Sequence, residues 1–400
     1  MSLSIKNIPS DWELKNLGGV STIIMGQSPS SNSYNEIGIG SYLIQGNADI
    51  KNRKSLPRQW TSEPTKICKI GDILMTVRAP VGAIAKSNHN ACIGRGVCSI
   101  KSKNTDNEFL YQFLLSYESK WKSLEQGSTF TAVNGVDIRG INIPIPPLKE
   151  QQKIAEILST VDAKISIIDA QISETQNLKK GLMQSLLSKG IGHTEFKKSA
   201  LGEIPKSWEV VKLDKIAKIS RGKFQHRPRN APEFYGGKYP YVQTGDIGKS
   251  NGKIIKYSQT LNELGLSVSK LFPKGTIVIT IAANIGDTAI AQFEIAFPDS
   301  LIGINVKEEV NNIFLRYFLV TQKNNLNKLS TVSAQKNINL ETLKPYKIPL
   351  PPIKEQEKIA SILNSVDEKL GVLSEKKSYY QNLKKGLMQQ LLTGKVRVSV

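Results

Sequence analysis

The stretch PIPPLKEQQKIAEILSTVDAKI, which begins at Pro144, recurs as PLPPIKEQEKIASILNSVDEKL from Pro349. The match continues through QNLKKGLMQSLL from Gln176 and QNLKKGLMQQLL from Gln381 without an insertion. From residue 144 to 188, 26 of the 45 aligned positions are identical at an offset of 205. Identity of this extent indicates an internal duplication, and the duplication organises the whole chain.

Apolar residues in both copies recur at heptad spacing, which predicts two long helices that meet along a coiled-coil seam. The seam is expected to contain Ile154, Leu158, Val161, Ile168, Ile359, Leu363, Val366 and Leu373. Pro147 and Glu150 suit a helix start, as do Pro352 and Glu355, and a left-handed glycine at 190 or 394 can end each helix. Each helix should run for about 40 residues, or about 60 Å.

One such helix cannot bury its apolar stripe alone, and the matching stripe of equal length is its twin. A segment of about 150 residues separates the two, which is the size of a domain. We therefore expect an antiparallel pair with one compact domain at each end, a dumbbell with pseudo-twofold symmetry. The alternative is that each helix packs on its own domain as ordinary core.

The flanking segments are also duplicated, but more loosely. Ile8-Pro9 and Trp12 are echoed by Ile204-Pro205 and Trp208 at an offset of 196, and other matches have an offset of 204. The predicted domains are 1–143, 144–190, 191–347 and 348–400, in an A-B-A′-B′ order. Short β-rich runs with one helical stretch in each A segment, near 109–117 and 314–320, give an α+β fold class: two globular α/β domains separated by two long antiparallel helices that form a coiled coil.

Composition narrows the functional class. Across 400 residues, 54 Lys and Arg stand against 34 Asp and Glu, a net charge of +20, and 39% of residues are hydrophobic. No apolar run approaches the 18 residues of a spanning helix, and no secretory signal is evident, so we expect a cytoplasmic protein without a membrane partner. Three cysteines without a CxxC pair and three scattered histidines predict neither a disulfide framework nor a metal site.

The positive charge is concentrated outside the helices. Residues 143–190 and 348–395 together hold 14 basic and 10 acidic residues, so most of the excess lies in the A segments. Such an excess, mixed with aromatic and amide side chains, points to a polyanion such as DNA. The predicted DNA-binding residues are Arg53, Lys54, Arg58, Arg78, Arg221, Lys223, Arg227, Arg229, Gln243 and Lys336. For any single residue of this set, the competing interpretation is an ordinary solvated surface charge.

Sequence motifs for catalysis are missing. An adenine methyltransferase needs an Asn/Asp-Pro-Pro-Tyr/Phe loop to grip a flipped base, whereas both Pro-Pro pairs here are followed by Leu or Ile. No glycine-rich loop for a methyl donor and no Walker sequence is present. Asp106 and Glu118 superficially resemble a nuclease carboxylate set but fall on a helical pattern. We predict no catalytic residue in this chain.

The PPLKEQQKIAEIL and PPIKEQEKIASIL repeats, the IPSDW and IPKSW openings and the stretch YPYVQTGDI from Tyr239 resemble the specificity subunit of type I restriction-modification systems. The resemblance covers essentially the whole chain. It implies two target recognition domains, each binding one half of a split, asymmetric double-stranded DNA sequence, with the helices setting the spacer. It also implies two adenine-N6 methyltransferase subunits as partners, joined by motor-nuclease subunits for restriction.

On this resemblance, S-adenosylmethionine, ATP and Mg belong to the partner subunits, and this chain holds no cofactor. Lys179-Lys180 and Lys384-Lys385 interrupt both apolar stripes at the same place, so we predict that they mark the docking of those partners. One departure concerns the first A segment, which has Met25-Gly26-Gln27 where the second has Arg221-Gly222-Lys223.

Three other functions stay open at this point. The chain can be the recognition subunit of a related system whose partner fuses methylation and cleavage in one polypeptide. It can be an autonomous hydrolase that uses Asp106 and Glu118. It can also be a scaffold whose basic domains bind RNA.

Overall fold

The computed structural model describes residues 8–125, 132–226, 228–282, 284–330 and 337–399. The chain divides into two compact units. The first unit holds the chain up to Ala170 and takes it up again at Ser374, and the second holds Gln171–Leu373. Each unit therefore contains one globular domain together with part of each long helix.

Short strands of the first unit form two mixed sheets and a two-stranded ribbon. The strands are β1 Glu13–Asn16, β2 Ser21–Met25, β3 Tyr34–Asn35, β4 Ser41–Ile44, β5 Ile50–Lys51, β6 Lys54–Ser55, β7 Gln59–Thr61, β8 Ile67–Cys68, β9 Ile73–Thr76, β10 Ile84–Lys86, β11 Ala91–Ile93, β12 Val97–Ser102 and β13 Asn142–Ile145. One sheet has the order β2-β12-β9-β10-β6-β5, the other has the order β3-β7-β4-β11-β8, and β1 pairs with β13. Strand β9 is buried along its whole length, which explains its unbroken run ILMT.

Helices of the first unit contribute to its main core. They are α1 Leu17–Val20, α2 Asn107–Glu125, α3 Gly135–Arg139 and the beginning of α4 Leu148–Lys189. The helix expected near 109–117 is α2, whose Phe109 and Phe113 are fully buried in the main core of the unit. Cys68, Cys92 and Cys98 are free and buried, and burial raises the pKa of the Cys98 thiol to about 12.

The second unit repeats this plan. Its strands are β14 Phe196–Ser199, β15 Gly202–Pro205, β16 Glu209–Lys212, β17 Ala217–Arg221, β18 Tyr235–Tyr241, β19 Lys253–Ile254, β20 Gln259–Leu261, β21 Leu271–Phe272, β22 Ile277–Thr280, β23 Thr288–Ala291, β24 Ile295–Ala296, β25 Leu301–Val306 and β26 Lys347–Leu350. The sheets have the orders β17-β25-β22-β23-β19 and β20-β18-β24-β21, while β14 pairs with β15 and β16 with β26. The helices are α5 Leu213–Ile216, α6 Thr244–Lys249, α7 Glu263–Ser267, α8 Asn312–Thr321, α9 Lys323–Ser330, α10 Leu340–Leu343 and α11 Ile353–Leu391.

The two long helices, α4 and α11, confirm the helices predicted from the repeat. They contain 42 and 39 residues, and the glycines at 190 and 394 have φ of 68° and 70°. Both helices begin one residue after the predicted Pro147 and Pro352. Among the described residues, no helix combines the length and apolar content needed to cross a bilayer.

Within each unit the helices run antiparallel. In the first unit, Lys384 pairs with Asp162 and Lys377 with Asp169, so positions rise on α4 as they fall on α11. The stripe residues Ile154 and Leu158 join Leu391 in the same core as Phe109. Within the unit the helices therefore pack on each other and also on their domain.

An aspartate on α4 is bound from two sides in the first unit. Lys384 of α11 donates from Nζ to both carboxylate oxygens of Asp162, at 2.7 and 2.6 Å. Gln112 of α2, which is fully buried, donates from Nε2 to the same carboxylate at 2.8 Å. We call this three-residue contact the clasp, because it joins both long helices to the domain.

The second unit has the same clasp at an offset of 205. Lys179 of α4 pairs with Asp367 of α11 at 2.5 Å. Tyr317 of α8 donates its hydroxyl to Asp367 at 2.6 Å. Burial and this hydrogen bond raise the pKa of Tyr317, so the phenol stays a donor.

The repeated motifs IPxxW and PPxxEQ bind each other. In the first unit the Trp12 indole donates to Glu150 at 3.1 Å, and Glu150 is 1% exposed. Arg397 also donates to Glu150, at 2.7 and 2.8 Å. Gln151 donates to the carbonyl of Pro146 at 2.8 Å and accepts from the amide of Asp106 at 2.8 Å. Glu150 thus satisfies the buried Trp12 indole as well as lying in the first turn, where the sequence placed it.

The two motifs make the same contacts in the second unit. The Trp208 indole donates to Glu355 at 3.0 Å, and His193 Nε2 lies 2.8 Å from the same carboxylate. Gln356 donates to the carbonyl of Pro351 at 2.8 Å and accepts from the amide of Asn311 at 2.9 Å. The motif therefore fixes where each helix leaves its domain.

Removal of the Asp162 carboxylate should destabilise the chain more than removal of a neighbouring exposed one. Asp162→Ala leaves the buried Gln112 amide and the mostly buried Lys384 without their acceptor, and we expect a loss of about 1–3 kcal/mol. The matched change Asp169→Ala breaks a more exposed pair with Lys377 and should cost less than about 1 kcal/mol. Urea denaturation followed by circular dichroism measures both, and equal losses would contradict the role given to the clasp.

Two glycines at and near the end of α4 should respond oppositely to alanine. At Gly190, φ is +68° and an added Cβ would lie 2.4 Å from Glu355 Oε1, so Gly190→Ala should cost about 1–3 kcal/mol. At Gly181 an added Cβ meets nothing within 4 Å, so Gly181→Ala should stabilise by about 0.5–1 kcal/mol. Thermal melting of the two variants tests this opposition.

Candidate nucleic-acid interface

Two glutamines are hydrogen-bonded where β4 and β7 reach the surface of the first unit. Gln45 follows β4, Gln59 begins β7, and Gln45 Nε2 donates to Gln59 Oε1 at 3.3 Å. The buried Asp49 accepts from the backbone N–H of Gln45 at 2.8 Å and from Arg58 Nε at 2.9 Å. One carboxylate thus fixes the residues that present both an amide pair and a guanidinium group.

The second unit contains the same constellation. Gln243 Nε2 donates to Gln259 Oε1 at 2.8 Å. Asp246 accepts from the backbone N–H of Gln243 at 2.8 Å and from the Ser258 hydroxyl at 2.8 Å. Ser258 stands where the first unit has Arg58. By these contacts the counterpart of Gln243 in the first unit is Gln45.

An exposed loop precedes each amide pair. In the first unit it is 56–58, and Leu56 is 53% exposed. In the second it is 255–258, where Ile255 is 66% exposed and Tyr257 is 45% exposed. Large apolar side chains held in water beside basic residues are typical of a binding surface rather than of a core.

Opposite charges occupy a second pair of equivalent positions. Arg95 is exposed between two glycines in the first unit, and its amide donates to Ser28 Oγ at 3.1 Å. The second unit has Asp299 there, and Arg229 donates to its carboxylate at 2.6 and 2.9 Å while Arg221 Nε donates to its carbonyl. The predicted Arg221 and Arg229 are therefore held together around Asp299.

The remaining predicted DNA-binding residues lie in different places. Lys223 is half-buried, and its amide donates to the carbonyl of Phe297 at 3.0 Å, near the same loop. Arg78 is exposed and follows Val77, whose amide donates to the carbonyl of Gly96 at 2.9 Å. Arg227 and Lys336 lie outside the described residues.

Arg53 and Lys54 occupy a cleft between the first domain and the long helices. This cleft of about 1080 Å³ is also lined by Lys384 and Lys385. Arg53 donates to Glu118 at 3.0 Å from Nη2 and to the carbonyl of Ile84 at 3.1 Å, so its guanidinium is already bound. Two residues predicted to bind DNA, Arg53 and Lys54, therefore line the same cleft as Lys384 and Lys385, which were predicted to dock a partner.

The lysine pairs of the helices divide into two roles. Lys179 and Lys384 belong to the clasps and hold the helices together. Lys180 and Lys385 are exposed. A charge reversal at both lysines of a pair would therefore break the clasp as well as change the surface charge. The docking prediction is therefore limited to Lys180 and Lys385.

The two carboxylates considered for hydrolysis have separate structural partners. Asp106 accepts from the amide of Phe109 at 2.8 Å and caps α2. Glu118, three turns along α2, binds Arg53 and accepts from the amide of Ile84 at 2.7 Å. Twelve helical residues rise about 18 Å, which is too far for both carboxylates to bind one ion. This arrangement does not support the hydrolase interpretation.

Sequence reasoning missed several residues of these surfaces. Gln45, Gln59, Gln259 and Arg95 were not predicted to bind DNA, because each is a single polar residue outside a basic cluster. A signal was present for Arg95, since an arginine between two glycines after a buried strand marks an exposed turn. For the glutamines, the signal is that an amide follows a β-run at equivalent places in both A segments.

The repeated plan of domain and helix defines a protein with two equivalent domains. The chain belongs to the family described as the type I restriction modification DNA specificity domain, which matches residues 9–177 and 205–378. Each match spans one A segment and most of the following helix.

Relatives and solved structures agree with this family. A putative type I restriction enzyme MjaX specificity subunit of Methanocaldococcus jannaschii is 30% identical, covering 98% of this chain and 96% of the relative. The type I restriction enzyme EcoKI specificity subunit of Escherichia coli is 22% identical, covering 89% of this chain and 82% of the relative. The crystal structure of a type I restriction-modification system S subunit from M. genitalium shares the fold, with a TM-score of 0.65, 18% identity and coverage of 98% of both chains.

Proposed function

We propose that this chain is the non-catalytic specificity subunit of a type I restriction-modification complex, in which each recognition domain binds one half of a bipartite DNA sequence. The observation that carries the proposal is the duplicated constellation of an amide pair over a carboxylate, on two domains of a family named for DNA specificity. Family relatives are named specificity subunits.

Electrostatics supports DNA as the ligand. The net charge of +20 lies mostly in the two domains rather than in the helices. Lysine and arginine contacts to phosphate supply the sequence-independent part of DNA affinity through counterion release, while side chains at base edges supply specificity. A basic domain surface that also presents preorganised amides serves both parts.

The two half-sites should differ from each other. Arg58 in the first unit is replaced by Ser258 in the second, and Arg95 by Asp299. An arginine fork prefers guanine, whereas a serine hydroxyl accepts several bases. Equivalent domain positions with different side chains therefore predict an asymmetric site.

The long helices set the distance between the half-sites in this proposal. A clasp in each unit fixes the register of α4 against α11 and joins that register to the domain. A constant distance requires that neither helix slides along the other. The hydrogen bond between Trp and Glu in each unit also fixes where the helix leaves the domain.

The exposed apolar residues of the two long helices suit two copies of one partner. Exposed apolar residues on α4 recur on α11 at the offset of 205: Leu148 with Ile353, Ile167 with Val372, and Leu178 with Leu383. Each is at least 37% exposed. The packing of the two helices on each other does not require apolar side chains at these exposed positions. A duplicated apolar surface fits two identical subunits, and we assign it to two adenine methyltransferase subunits, with Lys180 and Lys385 beside it.

Those partners would supply the chemistry. S-adenosylmethionine would be bound by the methyltransferase subunits, and ATP and Mg by the motor-nuclease subunits. In this chain, the carboxylates of Asp106 and Glu118 serve as a helix cap and as an ion-pair partner. The names of the relatives favour such an assembly over a system whose partner fuses methylation and cleavage, and the subunits that co-purify with the chain separate the two.

Mapping of methylated adenines tests the proposed function directly. The chain is expressed with its methyltransferase subunits, and modified adenines are located by sequencing genomic DNA from the host. We expect one asymmetric motif of two defined halves around an undefined spacer of constant length. Host DNA modified at a continuous motif, or cleavage of DNA by the purified chain alone with Mg, would refute the proposal. Preference for RNA over duplex DNA at physiological salt would instead support an RNA scaffold.

Charge at the exposed apolar positions of the long helices should release the partner. Leu178→Asp together with Leu383→Asp places carboxylates on both copies of the surface, and we expect at least a tenfold weaker association with the methyltransferase. Ile37→Asp, at a residue 79% exposed in the first domain, is the control and should leave association unchanged. Co-purification and analytical ultracentrifugation measure the effect, and unchanged binding in the double variant would remove the assignment.

A further inference from the structure

We infer that the amide pairs Gln45–Gln59 and Gln243–Gln259 are the adenine-reading elements of the two recognition domains, and that Arg58 adds a guanine contact in the first domain alone. The inference rests on the proposed DNA-specificity function and names the side chains that carry specificity. It begins from a geometry found in both units: two amides joined by a hydrogen bond, 3.3 Å long in the first unit and 2.8 Å in the second.

A joined amide pair still presents both kinds of hydrogen-bonding group. Each side-chain amide has two N–H donors and a carbonyl with two lone pairs, and the bond between them uses one donor and one lone pair. The second glutamine keeps both donors, and the first keeps its carbonyl oxygen. Adenine offers a donor at N6 and an acceptor at N7 in the major groove, and glutamine matches this pattern.

The pair is also held in place before any ligand arrives. Asp49 fixes the Gln45 backbone at 2.8 Å, and Asp246 fixes the Gln243 backbone at 2.8 Å. Gln59 and Gln259 begin the strands β7 and β20, which pair with the neighbouring strands β4 and β18. Because a free glutamine loses rotamer entropy when it binds, a pair that is already ordered reads a base at lower cost.

The carboxylate that supports each pair also determines what stands next to it. In the first domain Asp49 binds Arg58 through Nε at 2.9 Å, and the arginine side chain is 65% exposed. This contact is to Nε, and the two terminal nitrogens remain oriented as a fork, the group that binds guanine O6 and N7. In the second domain the same place is taken by the Ser258 hydroxyl, which has no such fork.

A purely structural role explains the pair less well. Two strands joined by a ladder do not need an additional bond between side-chain amides near the surface, and such bonds contribute little to stability. Yet the pair occurs in both domains, although the segments that form it differ in sequence and length. Gln259 is exposed, and the residues before it, Ile255 and Tyr257, are exposed as well. The residues around the second-unit pair are thus accessible to a ligand.

The test uses the assembled complex and the motif map. Gln59→Glu and Gln259→Glu preserve shape and retain an acceptor for the partner amide, but remove the donors that adenine N7 requires. A carboxylate accepts from cytosine N4, so the preferred base at one position of one half-site should change from adenine to cytosine. Methylation of the original motif should fall roughly 10- to 100-fold, while the other half-site is unchanged.

A second variant separates the arginine from the amides. Arg58→Ser gives the first domain the residue of the second, and should relax one guanine position roughly 10- to 100-fold without altering the adenine position. Gln322→Glu is the matched control, because Gln322 is also a hydrogen-bonded amide in the second unit but joins Tyr346, at 3.0 Å, rather than the amide pair. Its motif map should equal that of the unaltered complex.

The outcomes distinguish this inference from the proposed function. If the unaltered complex methylates no bipartite motif, the proposed function fails. If it does, but both Glu variants keep the original base preferences in both half-sites, the inference fails alone. An equal loss of methylation on all sequences would also overturn it, because that result assigns the amides to backbone contacts. Each variant controls for folding internally, since its unaltered domain must still select its own half-site.

Discussion

The carboxylates of Asp162 and Asp367 determine how this chain is held together. Each joins three elements of its unit: its own long helix, the lysine of the opposite long helix and a donor from the recognition domain. The apolar seam alone repeats every seven residues, so a slip of one heptad would bury similar stripes again. Such a slip would place Asp367 opposite Ile172 or Leu186 instead of Lys179, and Lys384 opposite Ala155 or Asp169 instead of Asp162. The polar contact therefore specifies a register that the apolar pattern leaves open.

Local features of the sequence predicted the long helices well. They did not predict contacts between residues that lie far apart along the chain. Heptads and glycines predicted helices of about 40 residues, and α4 and α11 contain 42 and 39. The Glu of the PPxxEQ motif was placed in the first helical turn, but its donors in the first unit lie 138 and 247 residues away along the chain. Nothing in the spacing of a motif identifies a partner that far along the chain. Similarly, Arg221 and Arg229 were counted as available charges, and the contact to Asp299 that orients them depends on the fold.

The structure explains why the helical copies are nearly identical while the domains have diverged. A residue on α4 must fit both α11 and a recognition domain, so a change on one helix requires a matching change elsewhere. The domains meet fewer conditions. One of them is a donor for the clasp, and Gln112 and Tyr317 meet it with different chemical groups. A recognition domain can therefore change most of its surface provided that a donor remains at this turn.

Equivalent surfaces in the two domains keep one charge and change its geometry. The first domain presents Arg95 directly from the turn between β11 and β12, a single positive charge. The second presents two arginines bound to Asp299, which also sum to one positive charge. Phosphate attraction depends on the sum, because it acts over about 8 Å at physiological salt. Base recognition depends on where the donors point, within hydrogen-bonding distance. Under the proposed function, divergence of this kind would let two copies of one domain attract DNA equally while each copy selects a different half-site.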